Sequence, residues 1–263
     1  QAIPYPIEFS GEKSGDKRTR IAAAIKSDGH RAAVLTLPDS ICWLLNIRGS
    51  DVTRTPLVHA FAILHDNGRV ALFAEPEKFA GLGPDPAIDI APVGDFLPTL
   101  AALTGPIRVD KKTAPLAVSA ALRTAAVEVA WADDPCTLPK ACKNATEIDG
   151  TRAAHLRDGA AMVEFLAWVD REAPGGTLTE IDVVTALEGF RRGTNELRDI
   201  SFETIAGAGP NGAIVHYRVT HDTNRPVKPA ELLLVDSGGQ YLDGTTDITR
   251  TIAIGTPRPD HIA

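Results

Sequence analysis

At 263 residues, with 44% hydrophobic and 23% charged side chains, the chain has the composition of a globular protein and length enough for two domains. A net charge of −7 leaves no basic footprint for nucleic acid or for an anionic membrane surface. No apolar run approaches membrane-spanning length and no charged-then-apolar leader opens the chain, so the expected compartment is the cytoplasm. The cysteines, Cys42, Cys136 and Cys142, are odd in number and form no CxxC, which fits reduced thiols. Gln1 at the start and the Pro-rich stretch before Ala263 read as the cut ends of something longer.

Asp16 is placed to cap a helix running through Lys26, with Ile21 and Ile25 on one face. Residues 32–37 and 41–46 read as short strands either side of Pro38-Asp39, with Cys42 a small buried hydrophobe in the second. Residues 59–65 and 69–74 form a hairpin around Asp66-Asn67-Gly68, bracketed by His59 and His65, which read as structural. A strand near Ile88, a helix over 96–103, a strand over 107–109, a helix over 116–123 and a strand over 127–131 follow. Mixed strands with intervening helices predict an α/β domain over residues 1–137.

The segment from Asp133-Asp134-Pro135 to Pro139 marks the boundary, and residues 138–263 form the second domain. There the period turns helical. Asn144 with Glu147 makes a capping box, and Ile148, Leu156, Val163 and Leu166 trace one stripe of a long helix that ends at Pro174-Gly175-Gly176. Thr179 starts a second helix with Val183, Val184, Leu187 and Phe190 inward, stopping near Gly193. Strands are predicted at 202–206, 213–217, 232–235 and 248–254, making this half α+β.

The densest chemistry lies between Leu232 and Ile254. An apolar strand delivers Asp236 at its end, glycines and Asp243-Gly244 reverse the chain, and a second strand follows. In it Asp247, Thr249 and Thr251 share one face and Ile248, Ile252 and Ile254 the other. A hairpin can therefore set Asp236 beside Asp247. Two adjacent carboxylates repel unless a proton or cation lies between them, and oxygen donors suit hard or borderline divalent ions. Aspartates in turns also cap local N–H groups and bind nothing, so spacing alone leaves both readings open.

The run Asp236-Ser-Gly-Gly-Gln-Tyr-Leu-Asp-Gly-Thr-Thr-Asp-Ile-Thr-Arg-Thr251 resembles the first metal-ligand segment of aminopeptidase P in the pita-bread metallopeptidases (family M24). Ile41-Cys-Trp-Leu-Leu-Asn-Ile-Arg-Gly-Ser-Asp-Val52 resembles their non-catalytic middle domain. Lys143-Asn-Ala-Thr-Glu147 with 152–158 resembles the first helix of the catalytic domain, and Gly209-Pro-Asn-Gly-Ala-Ile-Val-His-Tyr217 the strand bearing a substrate-contacting histidine. The resemblance implies a creatinase N-terminal-like mixed-sheet domain followed by part of a pita-bread catalytic domain. It implies hydrolysis of the N-terminal Xaa-Pro bond, with peptides carrying proline second as substrates and a homodimer as the assembly. Two divalent ions, manganese or else cobalt or zinc, would share a hydroxide.

By the same resemblance Asp236 is a terminal metal ligand and Asp247 bridges both ions. His216 binds substrate and handles a proton, although a lone strand histidine is otherwise a hydrogen-bonded core residue. Arg48 either pairs locally with Asp51 or contacts substrate from a partner subunit. Tyr241 and Arg250 flank the ligands and orient them or close the pocket. His221 reads as loop surface, and His261 stands in the wrong context to be a ligand. The family's site also takes a histidine and two glutamates from later strands, so this chain is expected to bind metal weakly and to lack peptidase activity by itself. A prolidase, a metal-free creatinase-like hydrolase and a non-catalytic binding module share the fold; retention of the aspartate pair argues against the last two.

Overall fold

The computed structural model describes residues 1–262, and the chain divides into two compact units, Gln1–Thr146 and Glu147–Ala263. The first unit begins with β1 (Ile3–Pro4), α1 (Ile7–Ser10), α2 (Ser14–Ser27), β2 (Ala32–Leu35), α3 (Pro38–Leu45) and β3 (Ile47–Arg48). Then come β4 (Phe61–His65), β5 (Val70–Phe73), β6 (Ile88–Ala91), α4 (Phe96–Ala101), β7 (Ile107–Val109), α5 (Leu116–Thr124), β8 (Val129–Trp131) and α6 (Thr137–Ala141). Six strands form one mixed sheet in the order β6-β5-β4-β2-β7-β8. Both faces of it are covered. In β2, Ala33 and Leu35 join the core shared with α2 and α3, while Ala32 and Val34 join the core shared with α4 and α5. Period-two alternation between two apolar layers explains why β2 is apolar at every position.

The segment 41–46 is helix, not strand. Pro38 occupies the first turn of α3, Ile41, Leu44 and Leu45 are buried at helical spacing, and Asn46 ends the helix at φ 51°. A short apolar run fits either period, and only its packing decides. The expected domain boundary at 137/138 falls inside α6. Residues past it still pack on the first unit: Lys140 pairs with Asp39, and Asn144 Nδ2 donates to the Ser10 carbonyl at 2.8 Å.

The second unit is built on α7 (Ala145–Glu172) and α8 (Glu180–Gly193), with the strands β9 (Asp199–Ile200), β10 (Ile205–Ala208), β11 (Leu232–Ser237), β12 (Gly239–Gln240) and β13 (Ile248–Ala253). β10, β11 and β13 make an antiparallel sheet, and β9 pairs with β12. Met162, Phe165 and Val169 of α7 and Val183 and Leu187 of α8 pack against Ala206, Leu233 and Val235. Thr179 caps α8 through a capping box with Asp182. No helix among the described residues is long and apolar enough to cross a membrane.

The buried face of α7 differs from the expected stripe. Leu156 is 80% exposed, Val163 65% and Ile148 39%, whereas Ala154, Asp158, Ala161, Met162, Phe165 and Val169 point inward. Small residues and one buried carboxylate define that face, and a hydrophobicity count overlooks both. Nor is 213–217 a strand. Gly209-Pro210 ends β10, a 3-10 turn covers Gly209–Ala213, and His216 sits at φ 55°.

These assignments rank two substitutions. In urea unfolding of this chain, Phe165→Ala is expected to cost about 3–5 kcal/mol. Leu156→Glu should move stability by less than about 0.5 kcal/mol. The opposite ranking would restore the stripe read from sequence.

Candidate metal centre

Strand parity decides which way Asp236 faces. Leu233 and Val235 point at α7 and α8, so Asp236, next in β11, points away from them. β13 pairs with β11 in a register that sets Thr249 opposite Asp236. Thr249 Oγ1 donates to Asp236 Oδ1 at 2.7 Å, and Asp247 brings its carboxyl within hydrogen-bonding reach of Asp236. Although Asp247 is exposed overall, partial desolvation of its carboxyl, then the Asp236 charge and the shared hydrogen bond, raise its pKa. A cavity of about 310 Å³ lies over the pair, lined by Phe202, Glu203, Ile205, His216, Arg218, Asp236 and Asp247.

Adjacent carboxylates that repel one another are the arrangement a cation can take over, and an all-oxygen pair fits a hard or borderline divalent ion. The fit is partial. Among the described residues no group of three or more His, Cys, Asp and Glu side chains converges as a metal site.

The turn between the two aspartates is clamped from the helix side. Tyr241, 1% exposed, donates its hydroxyl to Asp158 Oδ1 at 2.6 Å. Arg191 of α8 forks onto the same carboxylate, Nε to Oδ1 at 2.7 Å and Nη2 to Oδ2 at 3.1 Å, with both side chains fully buried. Burial pushes the Asp158 carboxyl up, but the donors from Arg191 and Tyr241 outweigh it and hold the pKa below its usual range. Next to it, Arg157 forks onto Asp243 at 3.2 and 2.8 Å and lies 5.1 Å from the centre of the Tyr241 ring. Close approach needs glycines. A Cβ at Gly150 would come within 2.7 Å of the Asp243 carbonyl, and one at Gly238 would collide with the carbonyl of Thr246.

A second buried carboxylate orders the loop bearing His216. Glu180, the first residue of α8, accepts from Ala208 N at 2.7 Å, Asn211 Nδ2 at 3.0 Å, Tyr217 Oη at 2.8 Å and Arg225 N at 3.3 Å. Those bonds draw Tyr217 into the interior (6% exposed) and leave His216 and Arg218 on the cavity wall. Arg225 closes the loop with a forked ion pair to Glu231 at 2.9 and 3.0 Å.

Of the residues singled out from sequence, His216, Asp236 and Asp247 therefore meet in one cavity. Tyr241 lies behind it. Arg250 belongs to the face of β13 opposite Asp247 and donates to the Thr249 carbonyl at 2.7 Å. Arg48 is part of the first unit, its guanidinium 3.9 Å from the Tyr5 ring centre. Asp51 is taken by Lys78 at 2.8 Å and by the backbone N–H of His59 at 3.0 Å. His221 is exposed, and His261 ends a short 3-10 turn. Sequence reasoning passed over Phe202, Glu203, Ile205 and Arg218, which no spacing marks. It also missed Asp158 and Arg191, whose signal was a carboxylate on the inner face of one helix and an arginine on the next.

Residues 1–147 match the Creatinase/Prolidase N-terminal domain, and residues 149–263 match Metallopeptidase family M24. Aminopeptidase P1 of Arabidopsis thaliana is 32% identical over 97% of this chain and 47% of its own length. A probable Xaa-Pro aminopeptidase P of Laccaria bicolor is 35% identical over 95% of this chain and 40% of its own. The chain thus spans about half the length, or less, of these curated relatives. The crystal structure of an X-prolyl aminopeptidase from Caenorhabditis elegans, described as a cytosolic enzyme with a di-nuclear active site, matches with a TM-score of 0.90 at 28% identity, over 99% of this chain and 44% of that one. An Xaa-Pro dipeptidase from Bacillus anthracis, at 19% identity and a TM-score of 0.72 over 95% and 68% of the two chains, shares the fold.

Two measurements probe this geometry. Asp236→Asn removes the neighbouring charge, so carbon-13 NMR titration of metal-free protein should show the Asp247 pKa falling toward its ordinary range. Asp158→Asn, which leaves Arg191 charged and buried, is expected to cost about 3–5 kcal/mol in urea unfolding. Asp158→Leu with Arg191→Met should cost less, because no charge is then stranded.

Proposed function

Since the chain belongs to the Creatinase/Prolidase N-terminal family over residues 1–147 and to metallopeptidase family M24 over residues 149–263, we propose that it serves a metal-dependent Xaa-Pro aminopeptidase. The single observation that carries the reading is the convergence of Asp236, Asp247 and His216 on one cavity. Asp236 and Asp247 supply oxygen ligands on the uncovered face of the sheet. Divalent ions held there would lower the pKa of a bound water and polarise a scissile carbonyl. His216, held on the wall by the Tyr217–Glu180 bond, contacts the peptide and carries a proton to or from the reacting groups. Phe202 and Ile205 give the same cavity apolar wall. Thr249 and the Tyr241 clamp fix the carboxylates so that they need not reorganise when an ion binds.

Manganese is the ion we expect, in a pair. A homodimer in the cytosol accompanies this reading, in keeping with the description of the Caenorhabditis elegans enzyme as cytosolic. The prolidase reading is less well supported, because relatives above 30% identity carry aminopeptidase P names while the dipeptidase neighbour is 19% identical.

The deciding experiment is manganese-dependent release of the first residue from an Xaa-Pro-Xaa peptide by the full-length protein, beside its Asp247→Ala variant. Activity in the first and loss of at least about a hundredfold in the second are expected. A folded, manganese-supplied protein that leaves the peptide intact would sink the reading. For the 263-residue chain by itself, where no three such ligands converge among the described residues, isothermal titration should give no tight manganese binding.

A further inference from the structure

The cavity over the aspartate pair is electrically lopsided. Asp236, Asp247 and Glu203 line it together with one guanidinium, that of Arg218. Arg218 forms no ion pair or hydrogen bond among the described residues, although three carboxylates share its cavity. Its side chain is exposed, but the backbone that carries it is tethered. Tyr217, immediately before it, is anchored through its hydroxyl to Glu180 Oε2 at 2.8 Å and to Thr223 Oγ1 at 3.1 Å. With Tyr217 pinned inward, the residues on either side, His216 and Arg218, face the cavity. The anchored loop therefore presents a cation to the site.

A short peptide has the complementary charge distribution, an ammonium at one end and a carboxylate at the other. The volume, about 310 Å³, is at the small end of the range for ligand cavities. A guanidinium matches a carboxylate with two parallel hydrogen bonds, which an amide or ester terminus cannot reproduce. We propose that Arg218 binds the C-terminal carboxylate of a short Xaa-Pro-Xaa substrate, with the peptide's amino end toward Asp236 and Asp247. Arg218 thereby selects tripeptides with a free carboxylate over blocked or longer peptides. The assignment rests on the aminopeptidase reading above and adds a determinant of substrate length to it.

The test compares Gly-Pro-Ala with its C-terminal amide, using full-length manganese-loaded protein, wild type and Arg218→Gln. The wild type should favour the acid by about ten- to a hundredfold in kcat/KM, the range expected for a charged hydrogen-bonded pair. Arg218→Gln should lose that preference through KM, and Arg218→Lys should retain part of it. Calorimetry with the product Pro-Ala and its amide gives an independent readout: the acid should bind more tightly to wild type, and the advantage should vanish in Arg218→Gln. Equal use of acid and amide by the wild type, or a variant that weakens both alike, would overturn the assignment. A wild type that cleaves neither peptide would overturn the aminopeptidase reading instead, and the product calorimetry would still decide whether Arg218 reads the carboxylate.

Discussion

The second unit depends on one carboxylate that has no contact with water. Asp158 accepts from Arg191 of α8 and from Tyr241 of the turn between β11 and β13, so three separated parts of the chain meet on its two oxygens. A buried ion pair gains little net stability, because desolvation offsets most of the attraction; removing one partner alone is what costs energy. What the cluster supplies is registry. The shared carboxylate ties α7, α8 and the turn together, and that turn joins β11, which carries Asp236, to β13.

The same physics repeats at Glu180. Its carboxylate sits at the start of α8, where the helix dipole favours a negative charge, and it gathers donors from β10 and from the loop after it. Loops carry few apolar contacts of their own, so their order comes from such anchors. Each candidate functional side chain is thus fixed at one remove. Asp236 and Asp247 are placed by the Asp158 cluster, and His216 and Arg218 by Tyr217 and Glu180. The charges that do the positioning are buried, while those offered to a ligand are open to the cavity.

The first unit is built on a different principle. Its sheet is covered on both faces, so packing of alternate residues into two apolar cores holds it together. Charged groups there are mostly peripheral. Arg48 stacks on Tyr5, and Asp51 pairs with Lys78. The surface charges contribute little to stability beside the cores they surround.

Legibility followed the same division. Hairpins and amphipathic stretches with clear periods were readable: the 59–74 hairpin, α8 with its Thr179 cap, and the aspartate-bearing strands β11 and β13. Each is set by local alternation, turn chemistry or capping, so residues near in sequence suffice. Segment 41–46 was read as strand because a short apolar run fits two periods, and α7 was turned to the wrong face because its inner face is Ala154, Asp158 and Ala161. Local pattern carries the α/β and α+β character of the two halves, the strand parity that pairs the two aspartates, and the family resemblance of the motif around them. The partnership of Asp158 with Arg191, the loop position of His216 and the cavity it shares with Arg218 and Glu203 emerge from three-dimensional packing. Those contacts join residues far apart in the chain, and their energies depend on burial, which no local pattern encodes.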